Sequence, residues 1–104
     1  MGSLVYDDNL AADFDDRTLA HLQVVMINKL RRMESFPFSW QDDRRAMTIW
    51  ISQATPLAFI YHGNRRPKLN RAWLEELAVV AGSSGGLVVL PEPPMPLMEP
   101  DEGA

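Results

Sequence analysis

Cysteine is absent from the 104-residue sequence. Its absence excludes a disulfide framework, a zinc site with cysteine ligands and a thiol nucleophile. No apolar run approaches the roughly 20 residues that a membrane-spanning helix needs, and the first residues lack the basic and apolar regions of a signal peptide. The sequence therefore predicts a cytoplasmic protein without a membrane partner.

A net charge of one sign is also lacking over most of the chain. The formal charge is −4, but four of the 14 acidic residues lie at or after position 92, which leaves ten acidic residues against ten basic ones in the preceding part. Long-range attraction of nucleic acid or of a basic protein depends on an excess of charge. Any attraction to a charged partner must therefore come from a local cluster.

The composition is that of an ordinary globular domain, with 46% hydrophobic and 23% charged residues. A chain of this length builds one hydrophobic core. We expect a single α+β domain over residues 1–91. Residues 92–104 are rich in proline and acidic residues, a composition that opposes packing into a core, and they are predicted to form a disordered tail.

Two amphipathic segments and several β-prone segments predict the order of the secondary structure elements. The predicted helices cover residues 17–32 and 70–81, and the predicted strands cover residues 4–6, 10–14, 36–40, 47–51, 57–61 and 87–90. The element order is ββ-α-βββ-α-β. We expect a small domain with one mostly antiparallel sheet and two helices on one of its faces.

The alternating pattern of the middle strands places Trp50 and Ile60 on the sheet face opposite the helices. No other predicted element covers that face. An exposed tryptophan can stack on a base or bind a protein partner, and an apolar face can also be covered by a second copy of the chain. Trp50 and Ile60 are therefore candidate partner-binding residues, with a protein partner and a homodimer both left open.

A basic cluster precedes the second predicted helix and continues into it. Its members are Arg65, Arg66, Lys68 and Arg71, and Arg31 and Arg32 at the end of the first helix could extend the same patch. The N-terminus of a helix attracts anions, so the cluster predicts binding of a phosphate or of a nucleic acid. The alternative is a solvated segment whose arginines pair with nearby acidic residues.

No spacing of residues indicates catalysis, a metal or a cofactor. Asp13 and Asp15 could share a divalent ion, but a turn followed by a helix N-cap is the simpler interpretation. His21 and His62 have no metal-binding spacing and are interpreted as structural or surface residues. The glycine-rich segment 82–86 follows a helix, whereas a phosphate loop precedes one. We therefore expect a non-enzymatic binding module without a cofactor.

Several segments resemble a family of short actinobacterial proteins of unknown function. These segments are Met1–Tyr6, Asp15–Val25, Lys29–Arg32, Glu34–Trp40 and Leu69–Leu74. Members of that family often bear an automatic label of ATP-dependent DNA ligase. Such a ligase needs a Lys-x-Asp-Gly nucleophile motif, whereas Lys29 is followed by Leu-Arg-Arg and Lys68 by Leu-Asn-Arg. The resemblance implies no catalytic residue, and the binding module remains the prediction.

Overall fold

The computed structural model describes residues 1–63 and 66–95, and its elements follow the predicted order. The strands are β1 (Gly2–Tyr6), β2 (Leu10–Phe14), β3 (Phe36–Gln41), β4 (Ala46–Ile51), β5 (Leu57–Tyr61) and β6 (Leu87–Val88). The helices are α1 (Asp16–Arg31) and α2 (Arg71–Ala81). The prediction of a small α+β domain is confirmed.

The six strands of the described residues form two three-stranded sheets, so the expectation of a single sheet is wrong. The first sheet has the order β2-β1-β5, with both pairings antiparallel. The second sheet has the order β4-β3-β6, with β3 antiparallel to β4 and parallel to β6. After β4 the chain returns to the first sheet, where the Asp7 amide donates to the Pro56 carbonyl at 2.8 Å. Local sequence patterns specify strands, but these long-range pairings decide which strands are neighbours.

Both sheets and both helices share one hydrophobic core. Its fully buried side chains include Leu4, Leu19, Leu22, Met26, Phe36, Phe38, Ile51, Leu77 and Leu87. The ring of Phe14 in the first sheet lies 6.2 Å from that of Phe38 and 6.1 Å from that of Trp40 in the second. The Tyr6 hydroxyl donates to the Trp50 carbonyl at 2.8 Å. These contacts hold the two sheets together.

The helices α1 and α2 lie side by side and run in the same direction. Near their N-termini, the rings of His21 and Trp73 have centroids 4.5 Å apart. Near their C-termini, Arg32 and Gly82 line the same cleft. The beginnings of both helices therefore meet at one end of the domain, and this end contains part of the predicted anion site.

The last strand is shorter than predicted and depends on a glycine. Gly86 has a φ of +80°, and a Cβ atom at this position would overlap the carbonyl oxygen of Pro37. Only glycine therefore lets β6 approach β3 here. The strand ends at Val88 instead of Leu90, and two residues later the Leu90 carbonyl accepts the indole N–H of Trp73 at 3.0 Å.

Neither of the helices in the described ranges is long and apolar enough to cross a membrane. The cytoplasmic location stays a prediction.

Candidate functional site

The predicted anion-binding residues lie at two separate ends of the helix pair. Arg66, Lys68 and Arg71 are exposed around the beginning of α2, and Arg65 lies outside the described residues. Arg31 and Arg32 are exposed at the end of α1. At about 1.5 Å per residue, the helix from His21 to Arg31 spans about 15 Å. Arg31 and Arg32 therefore do not continue the patch at the beginning of α2.

The N-terminus of α2 is already capped by the chain itself. The Asn70 side-chain oxygen accepts the backbone N–H groups of Ala72 at 3.0 Å and of Trp73 at 3.4 Å. These are the groups that a phosphate at a helix N-terminus would contact. This cap reduces the capacity of the helix end for an external anion.

A buried histidine connects the two helix N-termini. His21 is fully buried, and its Nε2 accepts the Asn70 backbone N–H at 2.7 Å. Its Nδ1 lies 2.7 Å from the carbonyl oxygen of Arg17, which can only accept, so Nδ1 carries the proton. Both ring nitrogens are therefore used within the fold. His21 is a structural residue, which is one of the two interpretations drawn from the sequence.

The C-terminal segment binds at this same end of the domain. The Arg17 guanidinium donates to both carboxylate oxygens of Glu92, with Nε lying 2.7 Å from Oε1. The Asn70 side-chain amide donates to Glu92 and to the Pro93 carbonyl, both at 2.9 Å. The hydrogen bonds from Arg17, followed by that from Asn70, lower the pKa of Glu92 from 4.5 to about 2. The contacts of the domain thus reach past residue 91, which no local pattern around Glu92 indicated.

Replacing Glu92 with glutamine should remove a pH-dependent part of the stability. Folding lowers the pKa of Glu92, so its charged form stabilises the fold fully above pH 4.5, and this contribution is lost as the pH falls toward 2. We expect Glu92→Gln to be less stable than the native chain at neutral pH and to approach it near pH 2. Urea unfolding at several pH values measures this difference. Glu76→Gln, on the exposed side of α2, is the matched control, and a pH-independent difference for Glu92→Gln would contradict the prediction.

A second feature is an apolar groove between α1 and β5, which we call the α1–β5 groove. It has a volume of about 630 Å³. Its walls are formed by Ala20, Gln23, Val24, Ile27 and Asn28 of α1, by Phe59 and Tyr61 of β5, and by Gly63, Arg66, Pro67 and Leu69 of the following segment. Ile27 and Leu69 are 38% and 45% exposed, so these two aliphatic walls of the groove are accessible to a partner. Neither residue was singled out from the sequence.

β5 is the last strand of the first sheet, and the edge that faces away from β1 lies beside this groove. Within residues 1–63 and 66–95, β5 pairs with β1 alone. The Tyr61 hydroxyl donates to the Gln23 side chain at 2.6 Å and fixes the distance between the strand and the helix. Unpaired backbone N–H and C=O groups along such an edge can pair with another extended chain. The groove therefore combines exposed apolar walls with a strand edge whose backbone groups have no partner strand among the described residues.

Trp50 and Ile60, the predicted partner-binding residues, lie on different sheets. Trp50 is 57% exposed on β4 of the second sheet, opposite Pro37, and Ile60 is 47% exposed on β5 of the first sheet, opposite Ser3. The exposure expected for both side chains is confirmed. Their grouping on one sheet face is wrong because that face is divided between the two sheets.

The acidic residues near β2 have structural partners. Asp13 accepts the Ser3 hydroxyl at 2.7 Å, and Asp15 caps α1 by accepting the Thr18 backbone N–H at 3.2 Å. In the part of the chain that the structure covers, no three histidine or acidic side chains are grouped so that they could hold a metal ion. The turn and N-cap interpretation of this segment is therefore the one that the geometry favours.

Comparison with known proteins places the chain in a family without providing a function. A family model described as "Domain of unknown function (DUF7882)" matches residues 1–92. No curated protein and no solved structure matches the chain. The matched range ends at Glu92, the residue whose carboxylate binds Arg17 and Asn70.

Proposed function

The chain belongs to this family of unknown function, and we propose that it is a binding module whose α1–β5 groove takes an extended peptide segment of a protein partner. One observation carries the proposal: an apolar groove with exposed aliphatic walls lies directly beside a strand edge that has no partner among the described residues. Extended peptides commonly bind in this way, by adding a strand to the edge of a sheet.

The backbone of β5 would supply affinity, and the walls of the groove would supply specificity. A peptide beside β5 pairs its N–H and C=O groups with the strand, and its alternate side chains point toward α1. On that side they meet Val24, Ile27 and Phe59. The groove thus favours a peptide with apolar side chains at every second position.

The positive charge of Arg66 at the groove favours a peptide with an acidic side chain. Arg66 is exposed on the wall of the groove. Burial raises the pKa of Tyr61, the negative charge of Asp16 raises it further, and the positive charge of Arg66 has a smaller, opposite effect. An acidic side chain of the peptide near Arg66 would be attracted to it. We infer that the preferred peptide combines apolar positions with a carboxylate.

Binding of nucleic acid or phosphate through Arg66, Lys68 and Arg71 is the competing function. It is favoured because all three side chains are exposed and lie within a stretch of six residues. It is weakened by the capping of α2 by Asn70 and by the carboxylate of Glu92, which lies next to that cap. The geometry therefore supports the peptide better than the phosphate.

Selection of a displayed library of random short peptides on the full chain tests the proposal. We expect selected peptides to carry apolar residues at alternate positions and at least one acidic residue. Ile27→Glu should weaken their binding at least tenfold, which is about 1.4 kcal/mol of binding free energy, because it places a carboxylate in the apolar wall. Titration by isothermal calorimetry measures the change.

Two variants serve as matched controls. Val79 is 77% exposed on α2 and lies outside the groove, so Val79→Glu should leave binding unchanged. Trp50→Ala should also leave it unchanged, and a loss of binding there would move the interface to the second sheet. If oligonucleotides bind instead, with an affinity that falls steeply with salt and is lost in the Arg66→Glu and Lys68→Glu double variant, the competing function is correct.

A further inference from the structure

We propose that the peptide in the α1–β5 groove runs parallel to β5 and ends there, with its free C-terminal carboxylate at Arg66. This inference rests on the proposed function and names the kind of peptide that the groove takes. Three observations support it: the chain crosses one end of the groove, the charge of the groove lies at that end, and a hydrogen-bond donor without a partner lies there as well.

The strand β5 and the helix α1 run in opposite directions along the two sides of the groove. The C-terminal end of β5 lies beside the middle of α1, where the Tyr61 hydroxyl donates to the Gln23 side chain. Just before the N-terminal end of β5, the Gln53 side chain donates to the carbonyl of Leu30, near the end of α1, at 3.3 Å. The groove therefore runs from Ile27, beside the beginning of β5, to Gln23, beside its end.

The segment 66–69 crosses α1 at the end of the groove that lies beyond β5. It leads from the sheet to the first half of α1, where the Arg17 guanidinium donates to the Lys68 carbonyl at 2.7 Å. Two residues later, the backbone N–H of Asn70 donates to Nε2 of His21, also at 2.7 Å. A peptide that follows β5 toward its C-terminal end meets this segment. The end of the peptide, and not its middle, therefore fits here.

The charge at this end selects the C-terminus of a peptide. Arg66 alone is charged among the described residues that line the groove, and it takes part in no ion pair between described residues. A peptide antiparallel to β5 would bring its N-terminal ammonium group to Arg66, and the two positive charges would repel each other. A peptide parallel to β5 brings its terminal carboxylate, which a guanidinium binds through two hydrogen bonds. The charge therefore sets the direction of the peptide.

A second donor at this end has no partner among the described residues. The Gln23 side-chain oxygen accepts the Tyr61 hydroxyl, which leaves the N–H groups of the same amide for an acceptor in the groove. Gly63 lines the same end, is exposed and has a φ of +106°, and a Cβ atom there would meet no described residue within 4 Å. The space beside the end of β5 is thus open to a carboxylate.

Comparison of a free and an amidated C-terminus on the full chain tests the inference. Peptides are selected from a random library displayed with free C-termini, and one that binds is synthesised as the acid, as the C-terminal amide and as the N-acetylated acid. We expect the amide to bind about tenfold or more weakly than the acid, and acetylation to have little effect. Isothermal calorimetry measures all three. In a library fused at the C-terminus, an acidic side chain has to replace the missing terminal carboxylate.

Two substitutions that each remove one positive charge separate a contact at the groove from general attraction. Arg66→Gln should weaken binding of the acid and leave little difference between the acid and the amide. Lys68→Gln is the matched control, because Lys68 is exposed in the same segment but does not line the groove. The difference between the acid and the amide should therefore persist in Lys68→Gln.

The direction of the peptide has its own measurement. A nitroxide on the first residue of the selected peptide should reduce the backbone amide signal of Ile27 more than that of Gly63, because the peptide begins beside the start of β5. A peptide antiparallel to β5 would give the opposite order.

The outcomes distinguish the inference from the proposed function. Equal binding of the acid and the amide to the native chain, or a larger loss of signal at Gly63 than at Ile27, would overturn the inference while the proposed function stands. If neither the library with free C-termini nor the fused library yields a peptide that binds, the proposed function fails and the inference fails with it.

Discussion

Phe38→Ala is expected to lower the free energy of unfolding by about 3–5 kcal/mol, the range for a fully buried phenylalanine. Phe38 has no exposed surface and lies at the centre of the second sheet, where it pairs with Ile49 on β4 and with Leu87 on β6. Its ring also contacts that of Phe14 in the first sheet. The substitution therefore leaves a cavity where both sheets meet, and neither sheet can close it alone.

Ser39→Ala, at the next position of the same strand, is the matched control. The Ser39 side chain points away from the core and shares an exposed hydrogen bond of 2.8 Å with Thr48. We expect its loss to change stability by about 0.5 kcal/mol or less. Chemical denaturation followed by tryptophan fluorescence measures both variants. A loss below about 1.5 kcal/mol for Phe38→Ala would contradict a core shared by the two sheets.

His21→Leu is expected to lower the free energy of unfolding by about 2–4 kcal/mol, although it nearly preserves the volume of the side chain. The buried Asn70 N–H loses its acceptor, which costs about 1–3 kcal/mol, and the contact with the ring of Trp73 is lost as well, for about 0.5–1.5 kcal/mol. The Arg17 carbonyl keeps its hydrogen bond within the helix. The loss therefore reports mainly on the connection between the two helix N-termini.

His62→Leu is the control, because His62 is exposed and should tolerate the change with little effect. Hydrogen exchange locates the damage in His21→Leu: the amides of Asn70 and Ala72 should exchange faster, whereas that of Ile49 in the second sheet should change only with the global stability. Unchanged protection at Asn70 would show that His21 is not its acceptor in solution.

The order and type of the elements could be predicted because each depends on neighbours in the sequence. Phe36 and Phe38 are buried and alternate with the less buried Pro37 and Ser39, and Asn70 stands where a helix N-cap is needed. The exposure of Trp50 followed from the same alternation. The division into two sheets could not be predicted in this way, since it depends on β5 pairing with β1 across more than 40 residues of intervening chain.

The candidate site was predictable only in part. The basic residues are visible in the sequence, but the acid that balances Arg17 is Glu92, 75 positions away. Ile27 and Leu69 are ordinary apolar residues of an amphipathic helix and of a connecting segment. Their partial exposure arises because the segment after β5 stands away from α1 and leaves a groove between them. No local sequence pattern predicts the distance between α1 and the segment after β5.

Periodicity and capping act over a few residues, so the sequence alone predicted the α+β class and the positions and types of the helices and strands. Tertiary packing was needed to establish that the strands form two sheets, that His21 is buried against Asn70, that Glu92 binds Arg17, and that an edge of β5 with no partner strand in residues 1–63 and 66–95 lies beside an apolar groove. These features depend on contacts between residues distant in the chain, whose geometry is set by the packing of the whole domain.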